Sequence, residues 1–321
     1  MKKINDSARA FIDLAKLGRT SFWAIALTLL LIVFINTVST LGILAFSPAN
    51  VHSAFYKNFS VINELESSFT GAAGIGGIAG FWFACRFILH RPYVSIVSAQ
   101  LKFNIPRLLL GMALFLPAFA VSVVAGSVYF WARYGTWQPP LGGFNLNPHV
   151  FGFGPIFSLF AGPVAIGVLA FGEEQFFRGW MTQTLGQYIR VPTVVVIVVA
   201  VSFAIYHTQY DLPIKAVMFF NSIGFSVLSL RDQRLELAVG AHTMLNTCVA
   251  VLIPTFFVPA HPHVNLPNAF YMSHAVLILD IIIFALIKGA LPFALMYWFL
   301  QKTNGWLEPN RATKVADVQP A

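Results

Sequence analysis

The chain has 321 residues, of which 57% are hydrophobic and only 10% charged, whereas soluble domains run near half apolar and about a quarter charged. That composition excludes a soluble globular domain, because too few charged side chains remain to keep a surface of this size wet. The net charge of +8 raises nucleic acid as a partner, but the basic residues recur at the ends of apolar runs instead of in one patch. Nucleic acid is therefore excluded, and the charge is assigned to anionic lipid and to membrane topology.

The first predicted element is a short amphipathic helix in which Ala8, Phe11, Ile12 and Ala15 oppose Lys3, Asp6, Asp13 and Lys16. It is expected to lie on the cytoplasmic leaflet, with a solvated tail as the alternative. About eight apolar runs of membrane-crossing length follow. They are centred on 22–46, 68–89, 108–131, 155–177, 191–207, 213–230, 235–258 and 275–300, the fifth and sixth being short. The first is too long for a signal-peptide core and reads as a retained anchor. In the second, the stretch Gly74-Ile-Gly76-Gly77-Ile-Ala79 almost mimics a dinucleotide fingerprint, yet no strand precedes it, and Gly76 and Gly80 at four-residue spacing suit close helix packing.

The loop Gly135 to Gly154, rich in Pro, Gly and aromatic residues, is expected on the extracytoplasmic side. Lys2, Lys3, Arg9, Lys16, Arg19, Arg86, Arg91, Lys102, Arg107, Arg190, Arg231, Arg234, Lys302, Arg311 and Lys314 fall on one side of this arrangement, against Lys57, Arg133 and Lys215 on the other. Both termini are accordingly expected in the cytoplasm. The fold expected is all-α: a single polytopic membrane domain over 1–321, with an amphipathic N-terminus at 1–21 and N-terminal transmembrane helices and a loop at 22–154. A polar-bearing core follows at 155–258, then a last helix and cytoplasmic tail at 259–321. Cys85 and Cys248, the only cysteines, lie inside apolar runs and read as packing thiols.

Ionisable groups at membrane depth are costly, and each is a functional candidate to be weighed against a structural salt bridge. Glu173 and Glu174 end the fourth run and Arg178 follows, with the helix expected to continue to about Gly186. On that helix Glu174 and Arg178 are one turn apart and can pair, while Glu173 is rotated by roughly 100°. One carboxylate held as an anion by Arg178 leaves the other available as a general base; a structural Glu/Arg knot is the alternative. His207 ends the fifth run with Phe203 one turn before it, and a turn near Ile189 to Pro192 brings His207 to about the depth of Glu173. His242 and Asn246 share a face of the seventh run. They present two donors a turn apart, as stabilising an oxyanion requires, although a lone membrane Asn also serves as helix glue. Asp280 and Lys288 in the last run read as structural, and His52, His90, His149, His261, His263 and His274 receive no chemistry.

Glu173-Glu174-Gln-Phe-Phe-Arg178, Phe203-Ala-Ile-Tyr-His207 and His242-Thr-Met-Leu-Asn246 resemble the EExxxR, FxxxH and HxxxN motifs of the CPBP family: the CAAX prenyl endopeptidases and their bacterial relatives, also called Abi or Rce1-like. The resemblance covers the core and not the first three helices or the tail. It implies about eight transmembrane helices around an intramembrane polar cavity open to the cytoplasm; the short chain with its basic N-terminus is expected to be a bacterial member, residing in the inner membrane. The resemblance also implies an intramembrane peptidase with Glu173 as the base activating water and His207 positioning it. His242 and Asn246 would form the oxyanion hole, with Glu174, Arg178 and Phe203 in support. No cofactor is implied. Zn²⁺ on Glu173, His207 and His242 is the alternative, although no His-Glu-x-x-His helix is present. The expected partner is a peptide or protein substrate, lipidated or not, arriving from the membrane or cytoplasm. A non-catalytic scaffold, immunity protein or proton relay is the alternative from another class.

Overall fold

A computed structural model describes residues 2–46, 74–134, 152–257 and 274–306. The expected loop at 135–151 and His52, His149, His261 and His263 lie outside them. Within them the chain is helical, with a single isolated bridge, Ser98 to Arg234. After α1 (Lys2–Ile12) come α2 (Phe22–Phe46), α3 (Gly74–Leu89) and α4 (Ile105–Tyr134). Helix α5 runs as Phe153–Glu174, through a π-helical turn Gln175–Met181, into Thr182–Tyr188. Then follow α6 (Pro192–Tyr206), α7 (Leu212–Asp232), α8 (Glu236–Thr247, extended to Phe256 through a π turn) and α9 (His274–Ala285, extended to Lys302 through another). Five of these elements, in α2, α4, α7, α8 and α9, are long and apolar enough to cross a bilayer, and Gly74–Leu89 and Pro192–Tyr206 are shorter apolar helices.

Polarity is inverted relative to a soluble protein. Phe160, Trp23 and Phe22 are more than 70% exposed, while Glu174, Gln175, Arg178, Arg234 and Glu236 are buried. Lipid replaces water at the apolar surface, so the interior is where polar groups find partners. Between helices that are equally apolar outside and in, association depends on close fit, and small residues supply it. A side chain at Gly240 of α8 would strike the Leu108 carbonyl of α4, and one at Gly111 would strike Leu237. Gly74 of α3 likewise sits against Val168 and Leu169 of α5, and Gly80 against Ile32 of α2. Gly74, Gly76 and Gly80 thus act as packing surfaces, whereas Gly77 faces open space.

Gly240→Val drives α4 and α8 apart and is expected to lower stability by about 1–3 kcal/mol, read as an earlier thermal unfolding in detergent. Gly77→Ala, where nothing lies within 4 Å of the added carbon, is the control and should leave unfolding unchanged or slightly later. Equal behaviour of the two variants would remove the packing argument.

The N-terminal helix departs from its expected position. Ala8, Phe11, Ile12 and Leu14 are buried in a cluster with Val97, Val196, Leu230, Leu235 and Val239. Gly186 of α5 abuts Ile12, and Gln187 donates to the Ile12 carbonyl. The apolar face predicted from sequence is real, but protein covers it where the leaflet was expected.

Candidate active site

The π-helical turn places one extra residue in α5 between its carboxylates and its C-terminal glutamines, and Thr182 closes it by donating to the Phe177 carbonyl, 2.8 Å away. Such insertions rotate the downstream face and concentrate at functional sites. Upstream of it, Glu173 and Glu174 face α8; downstream, Gln183 faces Ser95 and Arg91. Arg178, within the turn, donates to Glu174 Oε1 at 3.0 Å. Its guanidinium carbon lies 4.3 Å from the Phe203 ring centre, 5.0 Å from Phe225 and 5.8 Å from Phe177. A flat delocalised cation suits a box of aromatic faces in a way that a lysine ammonium does not.

His242 gathers both carboxylates. Its Nδ1 lies 2.8 Å from Glu174 Oε1 and its Nε2 lies 3.7 Å from Glu173 Oε2. The sequence suggests that the adjacent glutamates diverge, and they do, but only far enough to reach opposite edges of one imidazole. Because Glu174 also accepts from Arg178, the Nδ1 contact is most simply a donation from the ring. The ring stacks on Phe225 at 4.7 Å and 24°, and meets Phe203 edge-on at 6.1 Å. Asn246 follows one turn later on α8 and is half-buried.

His207 lies just past the end of α6, where its Nδ1 is 2.8 Å from the Phe203 carbonyl. A carbonyl only accepts, so Nδ1 carries the proton and Nε2 of a neutral ring is left with a free lone pair. Its ring packs on Phe203 at 4.5 Å. Phe177 contacts Phe203 and Tyr206 at 5.1 and 5.7 Å, which fixes the register of the α5–α6 hairpin and sets the Glu173 turn beside the end of α6. Phe203 is therefore the common wall of Arg178, His207 and His242.

Glu173 lines an apolar cavity of about 180 Å³ between α2, α3, α5 and α6, with Phe176, Phe177, Tyr206, Phe81 and Leu169 among its walls. Its Oε2 is buried without a hydrogen-bond partner, as is Glu174 Oε2. A zinc ion would need three converging ligands, and among the described residues no three His, Cys, Asp or Glu side chains converge in that way. The donors present do not fit that ion.

Phe225 and Tyr206 were not singled out from sequence. Phe225 had a signal: Ser222, Ser226 and Ser229 form a small, polar stripe on α7, the mark of a helix pressed closely against others. Tyr206 had none, since an aromatic at a helix end is common at membrane interfaces.

Residues 155–248 match the family described as type II CAAX prenyl endopeptidase Rce1-like. The chain is also similar to the uncharacterized protein YyaK of Bacillus subtilis (strain 168), at 25% identity over 183 residues, which cover 55% of this chain and 57% of that relative. The chain thus spans little more than half the length of that curated relative. No solved structure matches it. The matched stretch contains all of the Glu173–Arg178, Phe203–His207 and His242–Asn246 segments, so the part of the chain that carries the buried carboxylates and histidines is similar to the Rce1-like family of type II CAAX prenyl endopeptidases.

Proposed function

We propose that this protein is an intramembrane endopeptidase in which Glu173 activates a water molecule for attack on a peptide carbonyl. One observation carries the reading: Glu173 Oε2 is buried, unpartnered, at the wall of an apolar cavity and 3.7 Å from His242 Nε2. That separation is too long for a direct hydrogen bond and leaves both atoms free to share a third group. A water seated there gives a proton to Glu173 as its oxygen attacks the carbonyl carbon; Glu173 then returns that proton to the leaving amine as the C–N bond breaks. His207, with its proton fixed on Nδ1, offers the Nε2 lone pair to orient the water.

His242 and Asn246 receive the oxyanion. With Nδ1–H given to Glu174, a neutral His242 presents a lone pair at Nε2, so only the imidazolium form donates there. Glu174 and Arg178 hold the ring, and Phe203 spaces it from His207. The substrate is a peptide or protein segment, lipidated or not, that arrives from the membrane or the cytoplasm. The protein resides in the bacterial inner membrane with both termini cytoplasmic, as the distribution of Lys and Arg favours.

The test is cleavage by purified, detergent-solubilised protein of a prenylated CAAX peptide against an unmodified propeptide library, each with and without chelator. Cleavage of at least one set, unchanged by chelator, is expected. Loss of activity on chelation would assign a metal to the reaction, and no cleavage of either set would favour a scaffold or relay.

A further inference from the structure

Away from the carboxylates, at the end of α3, the backbone turns through His90 in the left-handed region, with φ of 49°. There Trp82, Cys85, Arg86, His90, Arg91 and Tyr93 surround a cavity of about 250 Å³. The lining carries two guanidinium groups and no carboxylate. Arg86 is exposed at its mouth. Arg91 is only 8% exposed. Its Nη1 donates to the Leu14 carbonyl at 3.3 Å and to Gln183 Oε1 at 2.9 Å, both neutral, the Cys85 thiol lies beside the guanidinium, and Nε makes no hydrogen bond.

A buried cation without a carboxylate partner is expensive, and an unpartnered donor on it adds to the cost. The Tyr93 hydroxyl is likewise buried, with the Gln175 amide beside it. Burial pushes that hydroxyl up to about 12, so it stays a donor at any physiological pH. The position also matters. Trp82 and Phe87 are half or more exposed on the preceding turns, as lipid-facing aromatics are near a headgroup layer. The Arg19 backbone N–H bonds the Leu89 carbonyl at 2.8 Å, which brings the start of α2, with exposed Trp23, to the same end.

We propose that this cavity binds a phosphate group, supplied by the headgroup of an anionic lipid or by a soluble phosphate ester, with Arg91 and Tyr93 as inner donors and Arg86 at the entrance. A phosphate oxygen satisfies the free Arg91 donor through a charge-assisted hydrogen bond, the strongest kind available to a guanidinium. Because Arg91 also ties Leu14 and Gln183 to the end of α3, an occupied site fastens the N-terminal segment to the bundle.

The site is tested by native mass spectrometry and thermal unfolding of the full chain in detergent, titrated with phosphatidic acid, phosphatidylcholine, inorganic phosphate or glycerol phosphate. Phosphatidic acid should bind and delay unfolding, and phosphatidylcholine should bind at least about tenfold more weakly, the loss expected from one charge-assisted bond. Arg86→Glu, on an exposed side chain that leaves the fold intact, should weaken phosphatidic acid by about tenfold or more. Tyr93→Phe should weaken it less. Stabilisation by glycerol phosphate or inorganic phosphate at concentrations comparable to phosphatidic acid assigns the ligand to the soluble source; stabilisation by the lipid alone assigns it to the membrane. Equal binding of phosphatidic acid and phosphatidylcholine, or phosphatidic acid binding unaffected by Arg86→Glu, overturns the site. These readouts involve no peptide cleavage, so they stand or fall separately from the peptidase reading.

Discussion

Replacing Glu173 with Gln is expected to abolish peptide cleavage while leaving the folded protein in the membrane. The amide keeps the size and shape of the side chain but cannot take a proton from water, and loss of a positioned base costs roughly 10²–10⁴-fold in rate. Stability should hardly change. Glu173 Oε2 has no hydrogen-bond partner to lose, and the substitution removes a negative charge from a half-buried position beside Glu174. The measurement pairs a cleavage time course with elution and thermal unfolding of the same preparation. Cleavage at the wild-type rate by well-folded Glu173→Gln would remove Glu173 as the base. Loss of folded protein would instead show that this carboxylate is structural.

Arg178→Met should behave in the opposite way, with the fold failing before the chemistry can be asked about. Arg178 is 1% exposed and Glu174 0%, and the substitution leaves Glu174 buried with His242 as its remaining partner. Breaking a buried ion pair from one side costs about 3–5 kcal/mol, enough to deplete the folded protein in the membrane. Removing both charges, with Glu174→Gln added to Arg178→Met, should recover much of that loss, because no uncompensated charge remains. Arg178→Lys should not substitute for Arg, since a compact ammonium cannot both reach Glu174 and lie flat against Phe203 and Phe225. Unfolding of Arg178→Met at the wild-type temperature would mean that the pair contributes nothing to the fold.

The contrast between these substitutions explains why some of the site was readable from sequence. The pairing of Glu174 with Arg178 follows from their four-residue spacing on one helix, and even the π turn through 175–181 leaves it intact. The similar depth of Glu173 and the end of α6 follows from a hairpin whose turn is marked by Pro192. Both are local facts, within reach of periodicity and rise per residue. The contact of His242 with Glu174 spans 68 residues, and no local pattern encodes it. The stacking of Phe225 on His242 and the docking of α1 against α5 and α7 depend equally on how distant helices come together.

By itself the sequence determined that apolar helices make up the chain and that charge sits inside them, because lipid demands a continuous apolar run and penalises every exception. Its spacings also placed Glu174 one turn from Arg178 and His242 one turn from Asn246. Only the tertiary structure decided that Glu173 and Glu174 take opposite edges of one imidazole, that three phenylalanine rings enclose Arg178, and that Arg91 lines a second cavity with a free donor. The physical reason is that helix orientation in a membrane is set by close packing at residues such as Gly74, Gly111 and Gly240. Hydropathy, which is nearly uniform around α2 and α6, carries no record there of which face will meet which.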